Sequence, residues 1–255
     1  MTNLCDLHCP FCYAPKHSAS LGFEQVVRWS QELDKNGALG VGFGGGEPTL
    51  YPKFAELCGL LATTTGLAIT FTTHSHRFTP KLRNELMGNV HFIRVSMDGV
   101  GETYERIRRR SFNQLFNQLQ IVRDTCAFGI NYVVNDITIR DLNEAADLAF
   151  GAGAAELLLL PEHSAHGLDL STEQRLTKWL AENNGRFRLS ISEAGVTDGL
   201  PIADPFVNEK GTKAYVHVNA SGRVARTSYN QDNTILISSD EGILAAIAEL
   251  EGECS

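Results

Sequence analysis

The chain has 255 residues, 43% of them hydrophobic, enough for one sizeable core and of a length at which α/β barrels stay undivided. Lys and Arg number 22 against 30 Asp and Glu, a net charge of -8, which disfavours non-specific binding to nucleic acid or to an anionic membrane. No apolar run approaches the roughly 18–20 residues of a membrane span, and no apolar stretch at the start suggests a signal peptide. The chain is therefore expected to be cytoplasmic, with no nucleic acid and no membrane as partner.

After a cysteine-rich start, residues 23–36 carry helical apolar spacing, with Phe23, Val26, Val27 and Leu33 on one face and Gly37 suited to the C-terminal cap. Residues 39–43 read as a short buried strand running into glycines. Helix is expected over 52–64, strand over 67–72, a short helix over 80–87 and strand over 91–97. Residues 102–126 read as mostly helix, 128–134 as a strand rich in β-branched and aromatic residues, 142–152 as helix and 156–160 as a buried strand. Such alternation implies right-handed βαβ units and a parallel sheet, with the chemistry at the carboxyl ends of the strands. Those ends carry residues 44–48, 74–77, 96–99, 135–136 and 161–167. The pattern then changes. Residues 171–183 read as helix with Ser171 as cap, 186–191 as a further strand, 215–229 as a β-hairpin turning at 220–222, and 243–250 as a closing helix.

Of six cysteines, three fall within eight residues: Cys5, Cys9 and Cys12. Such a tight cluster points to metal rather than disulfides. Structural zinc normally takes four protein ligands, and no second Cys-x-x-Cys pair exists, although His8 or His17 could complete such a site. A [4Fe–4S] cluster normally takes four cysteines, so three leave one iron open. Cys58 and Cys126 lie in helical patterns and are expected in the core. The second motif is Gly44-Gly45-Gly46-Glu47-Pro48-Thr49, directly after a strand. Its glycines permit close approach of backbone to a ligand, Pro48 stiffens the turn, and Glu47 offers an acceptor for a cationic group. A tight strand–helix turn would use the same residues.

The Cys-x-x-x-Cys-x-x-Cys spacing followed by an aromatic, and the Gly-Gly-Glu-Pro element after the next strand, resemble the signatures of the radical S-adenosylmethionine (SAM) superfamily. The resemblance covers residues 3 to about 167. It implies a partial (β/α)6 barrel, one [4Fe–4S] cluster on Cys5, Cys9 and Cys12, and SAM chelated to the open iron. It also implies reductive cleavage to a 5′-deoxyadenosyl radical that abstracts hydrogen from substrate, with an electron donor such as flavodoxin or ferredoxin. Gly45, Gly46, Glu47 and Pro48 would receive the SAM amine. By the same resemblance Tyr13 would lie near adenine, Ser96 and Asp98 near ribose or carboxylate, and Asn135, Leu160 and Glu162 near ribose or adenine. Arg106 and Arg108 to Arg110 are candidates for the SAM carboxylate or for a solvated helix face.

Three departures stand out. Only residues 1–4 precede Cys5, too few for a normal first strand; either the start is truncated, or the barrel is one strand short or differently closed. Many relatives carry Asn-Gly where this chain has Thr73-His74-Ser75-His76-Arg77, so His74 and His76 are candidates to face substrate, or else polar loop residues. The tail resembles the SPASM or twitch extensions of peptide- and sugar-modifying members, yet Arg226, Thr227 and Ser228 stand where a cysteine is expected, and only Cys254 lies beyond Cys126. The expected division is a radical SAM core over 1–168 and a cluster-free α+β extension over 169–255. The expected substrate is a peptide or small metabolite. The alternative is a non-catalytic iron–sulfur or zinc protein of regulation or assembly, against which the glycine turn beside the cysteines argues.

Overall fold

Six parallel strands realise the expected alternation: β1 (Gly40–Phe43), β2 (Ala68–Thr73), β3 (Phe92–Ser96), β4 (Phe128–Val134), β5 (Glu156–Pro161) and β6 (Leu189–Ile191). The computed structural model describes residues 1–162, 168–183, 185–191, 211–229, 233–238 and 241–252. The strands stand in one sheet in chain order, without reversal. Right-handed crossovers in one direction place the connecting helices on one face, which curls a sheet towards a (β/α) barrel rather than a doubly wound fold. Among the described residues β1 and β6 do not pair, so the barrel is partial.

The helices are α1 (Phe23–Lys35), α2 (Phe54–Thr64), α3 (Pro80–Leu86), α4 (Gly101–Arg108), α5 (Phe112–Arg123), α6 (Leu142–Gly151) and α7 (Leu170–Glu182). Two expectations are corrected here. The mostly helical stretch over 102–126 is divided in two, because Arg109 turns left-handed at φ 53° and the Ser111 side chain accepts the Gln114 amide to start afresh. The cap of α7 is Asp169 rather than Ser171, its carboxylate accepting from the amides of Ser171 and Thr172. Cys58 is fully buried as expected, whereas Cys126 is half-buried and Cys254 lies outside the described residues.

The sheet has two unlike faces. Ile69, Phe71, Ile93, Val95, Ile130, Tyr132, Leu157 and Leu159 are buried. On the other face Thr72, Arg94, Ser96, Asn131, Leu158 and Leu160 remain partly open. Parallel sheets are usually buried on both sides, so an open polar face is room for a ligand. Arg94 reaches Asn131 at 3.4 Å and pairs with Glu156, the first residue of β5, so this contact lies towards the floor of that face.

The expected hairpin is present but shorter, and it gains a strand. β7 (His217–Val218), β8 (Arg223–Ala225) and β9 (Ile235–Leu236) form an antiparallel sheet. Its first turn is made by the Asn219 side chain accepting from the amides of Ser221 and Arg223, with Gly222 at φ +77°. A last helix, α8 (Gly242–Gly252), docks on α1, where the Glu32 carboxylate accepts from the Ile243 and Leu244 amides. No helix of the described residues is long and apolar enough to cross a membrane.

Candidate active site at the cysteine loop

Residues 1–4 support the cysteine loop despite their shortness. Thr2 bridges Gly45 in parallel fashion and Ser20 in antiparallel fashion. The Gly46 and Glu47 amides donate to the Thr2 and Leu4 carbonyls, each at 2.7 Å, while Asn3 donates to the Ala19 carbonyl at 3.0 Å. The segment thus acts as a strand beside the turn that follows β1. Glycine is required for this approach. A Cβ on Gly45 would lie 2.4 Å from the Thr2 oxygen, and one on Gly46 would lie 2.0 Å from the Leu4 oxygen. The backbone that these glycines admit is the chain's own. Gly44 has open space about it.

Cys5, Cys9 and Cys12 are free thiols, all partly exposed. The Leu7 amide donates to the Cys5 sulfur at 3.4 Å, and the Lys16 ammonium to the Cys12 sulfur at 3.2 Å. Burial pushes the Cys5 and Cys9 thiols up, the charge of Arg108 opposing this at Cys9. Metal binding would therefore displace protons here. Among the described residues, one group of three metal-ligating side chains has all its ligand atoms within 4.8 Å: Cys5, Asp6 and His74. The three cysteine sulfurs are spread more widely.

Asp6, which sequence reasoning passed over, is a hub of this loop. Its carboxylate meets His74 Nε2 at 2.8 Å, Arg77 at 3.4 Å and Arg110 at 3.5 Å. Burial pushes its carboxyl up, but the His74 hydrogen bond and the Arg77 charge outweigh this and hold it below the usual carboxylate range. The one sequence signal was a charged residue inside a cysteine loop, and its partners lie more than sixty residues away.

Glu47 is 1% exposed, and its carboxylate is occupied within the chain. Oε1 accepts from the Thr49 amide, the Thr49 hydroxyl and the Thr73 hydroxyl, and Oε2 from the His74 amide at 2.9 Å. The side chain is thereby tied into the turn, and the Gly44 carbonyl lies 3.5 Å from the amino terminus of Met1. Pro48 begins a short 3-10 turn behind it.

Asp98, expected near SAM, is likewise buried and engaged. Oδ1 accepts the Val133 amide at 2.7 Å, and Oδ2 pairs with Arg108. Arg108 lies over the Phe11 ring at 5.8 Å, between Cys9 and Cys12 in sequence. Asn135 caps its own loop, its oxygen accepting from Ile137 and Thr138 while its amide donates to Glu162 at 2.8 Å. Ser96 and Leu160 occupy the open face at strand ends, as the alternation required. Tyr13 is 52% exposed and packs against Tyr229 of the tail, with ring centroids 4.5 Å apart.

The two histidines differ. His74 is buried and turned to the cysteine loop. His76 Nε2 meets the Tyr104 hydroxyl at 2.7 Å while its Nδ1 has no hydrogen-bond partner, and burial lowers its pKa to about 4.

Residues 1–149 match the Radical SAM superfamily. The chain belongs to that superfamily. Its cofactors are the superfamily's, a [4Fe–4S] cluster and S-adenosylmethionine. Mycofactocin maturase MftC of Mycobacterium tuberculosis is 29% identical over 178 residues, which are 67% of this chain and 45% of the relative. The S-adenosylmethionine-dependent nucleotide dehydratase of Flammeovirga pacifica is 21% identical over 263 residues, covering 91% of this chain and 90% of that protein. Streptococcus suis SuiB bound to the precursor peptide SuiA superposes with a TM-score of 0.71 at 14% identity, covering 91% of this chain and 60% of that one. This last likeness carries the fold, a partial barrel with parallel strands. The chain spans less than half the length of MftC.

Proposed function

We propose that Cys5, Cys9 and Cys12 hold a [4Fe–4S] cluster whose open iron takes SAM, and that the chain uses them to remove hydrogen from a peptide. The observation that carries this is the seating of three free thiols on one loop, hydrogen-bonded through residues 2–4 to the Gly45–Glu47 turn. When bound and reduced, such a cluster supplies one electron to SAM and yields methionine and a 5′-deoxyadenosyl radical.

The chain's own residues tune and place these groups. Lys16 beside Cys12 and Arg108 near Cys9 offset thiolate charge. Carbonyls of the Gly44–Gly46 turn receive the amine, with Glu47 and Pro48 holding the turn. Ser96 and Leu160 line the open face for ribose and adenine, and Asn135 with Glu162 closes its far end. Tyr13, packed at a tilt against Tyr229, covers part of the loop. Residues 169–255 form an extension that holds no auxiliary cluster and contacts substrate. The electron comes from a flavodoxin or ferredoxin. A peptide is favoured because one matched structure holds a precursor peptide and one relative is a maturase by name. A nucleotide is the second reading, favoured by a relative matched over 90% of its own length, a nucleotide dehydratase by name.

The test is anaerobic reconstitution, reduction and addition of SAM. About four irons per chain are expected, with 5′-deoxyadenosine formed by the wild type and not by Cys9→Ala. An intact four-iron cluster that yields no 5′-deoxyadenosine with any substrate offered would overturn the catalytic reading. Stimulation by short peptides encoded nearby, against stimulation by nucleoside phosphates, separates the two substrate classes.

A further inference from the structure

His74 stands where this chain departs from the Asn-Gly of many relatives, and it is 4% exposed. Four contacts orient it. The His76 amide donates to His74 Nδ1 at 3.1 Å, so Nδ1 is the acceptor and Nε2 carries the proton. That one N–H points between two carboxylates, Asp6 Oδ1 at 2.8 Å and Glu47 Oε2 at 3.4 Å. The His74 amide goes to the same Glu47 oxygen at 2.9 Å. Asp6 follows Cys5 directly, and the Cys5 sulfur lies within 4.8 Å of both the Asp6 oxygen and the His74 nitrogen.

Cys5, Asp6 and His74 are close enough to share a metal ion. Asp6 is already paired with Arg77 and Arg110, however, and its nearest His74 atom is a proton-bearing nitrogen. Further positive charge has little to attract it. What the contacts do is join two segments. One imidazole connects the loop that carries the cysteines to the turn that carries Gly45, Gly46 and Glu47.

We infer that His74 is a positioning residue: through Asp6 and Glu47 it sets Cys5 relative to the glycine turn, and so sets the cluster relative to the SAM amine. The inference rests on the proposed cluster and SAM reading. Hydrogen bonds around a ligating sulfur govern both retention of the metal and its potential, so the effect should appear in the cluster before it appears in the fold.

The test uses the full chain, reconstituted without oxygen, as wild type, His74→Ala, His74→Gln, Asp6→Ala and the Asp6→Ala/His74→Ala double variant. Iron release to a chelator, the midpoint potential and the change in the reduced cluster's EPR signal on adding SAM are measured beside the melting temperature of the metal-free chain. His74→Ala is expected to lose iron about 10-fold faster and to respond less to SAM. Asp6→Ala, which removes the acceptor on a partly exposed loop, is expected to do the same with an unchanged melting temperature. The double variant is expected to be no worse than His74→Ala, because both substitutions break one link. His74→Gln, which retains an N–H donor, should recover part of the loss. Wild-type iron release and SAM response in both single variants would overturn the inference. So would additive losses in the double variant, or iron release that merely tracks melting temperature. A wild type that holds no four-iron cluster would instead sink the proposed function, and that outcome is visible without any variant.

Discussion

Arg108 and Asp98 form an ion pair inside the barrel, with side chains only 11% and 1% exposed. The guanidinium Nε donates to Asp98 Oδ2 at 2.7 Å and a second guanidinium nitrogen reaches the same oxygen, while Oδ1 takes the Val133 amide. One pair thus ties α4 to the carboxyl end of β4 and sets a cation beneath the cysteine loop.

Breaking that pair from one side leaves a buried charge alone. Asp98→Ala is expected to cost about 3–5 kcal/mol of unfolding free energy, read from urea denaturation of the metal-free chain. A loss below about 1 kcal/mol would mean that Arg108 finds water or another partner.

The two kinds of cysteine should part company. Substituting Cys5, Cys9 or Cys12 by Ala is expected to abolish four-iron loading with little change in the metal-free melting temperature. Cys58→Ala, in the core, should keep its iron and lose about 1–2 kcal/mol of stability. Iron analysis and thermal melts on the same samples decide it, and iron loss in Cys58→Ala at full stability would contradict the assignment.

Adjacent glycines should differ sharply. Gly46→Ala drives a Cβ into the Leu4 carbonyl and is expected to cost about 3 kcal/mol, or roughly 6–12 °C in melting temperature. Gly44→Ala meets nothing within 4 Å and should melt within about 2 °C of wild type. Equal behaviour of the two would show that residues 2–4 do not pack over the turn in solution.

Acid should weaken the fold through His217 of β7, whose pKa burial lowers from 6.5 to about 4. Above pH 6.5 the ring is neutral in both states and the fold has its full stability. As pH falls from 6.5 towards 4 the unfolded chain takes up the proton first, so stability declines, by at most about 1.4 kcal/mol per pH unit. Urea midpoints measured between pH 7.5 and 4.5 should fall less steeply for His217→Gln than for wild type. Parallel curves would remove His217 as a cause.

The strands and helices of the barrel were legible because each carries its own period, as in 128–134 and 156–160. The break at Arg109 was not, since one residue turning left-handed leaves the apolar spacing on either side intact. β9 was missed because a two-residue strand has no period to read and exists only by pairing with β8.

At the site, the cysteine spacing and the glycine turn were visible because both are local in the chain. The sequence alone determined the superfamily's motifs, the strand order they sit in and the three thiols. Only the tertiary structure decided how the surrounding charges are used. Glu47 and Asp98 looked free to meet a ligand, yet each is buried among donors from distant segments, and Asp6 gained a role no neighbour in sequence announced. The reason is physical: a buried carboxylate must find donors wherever the fold brings them, and that choice is made across the sheet rather than along the chain.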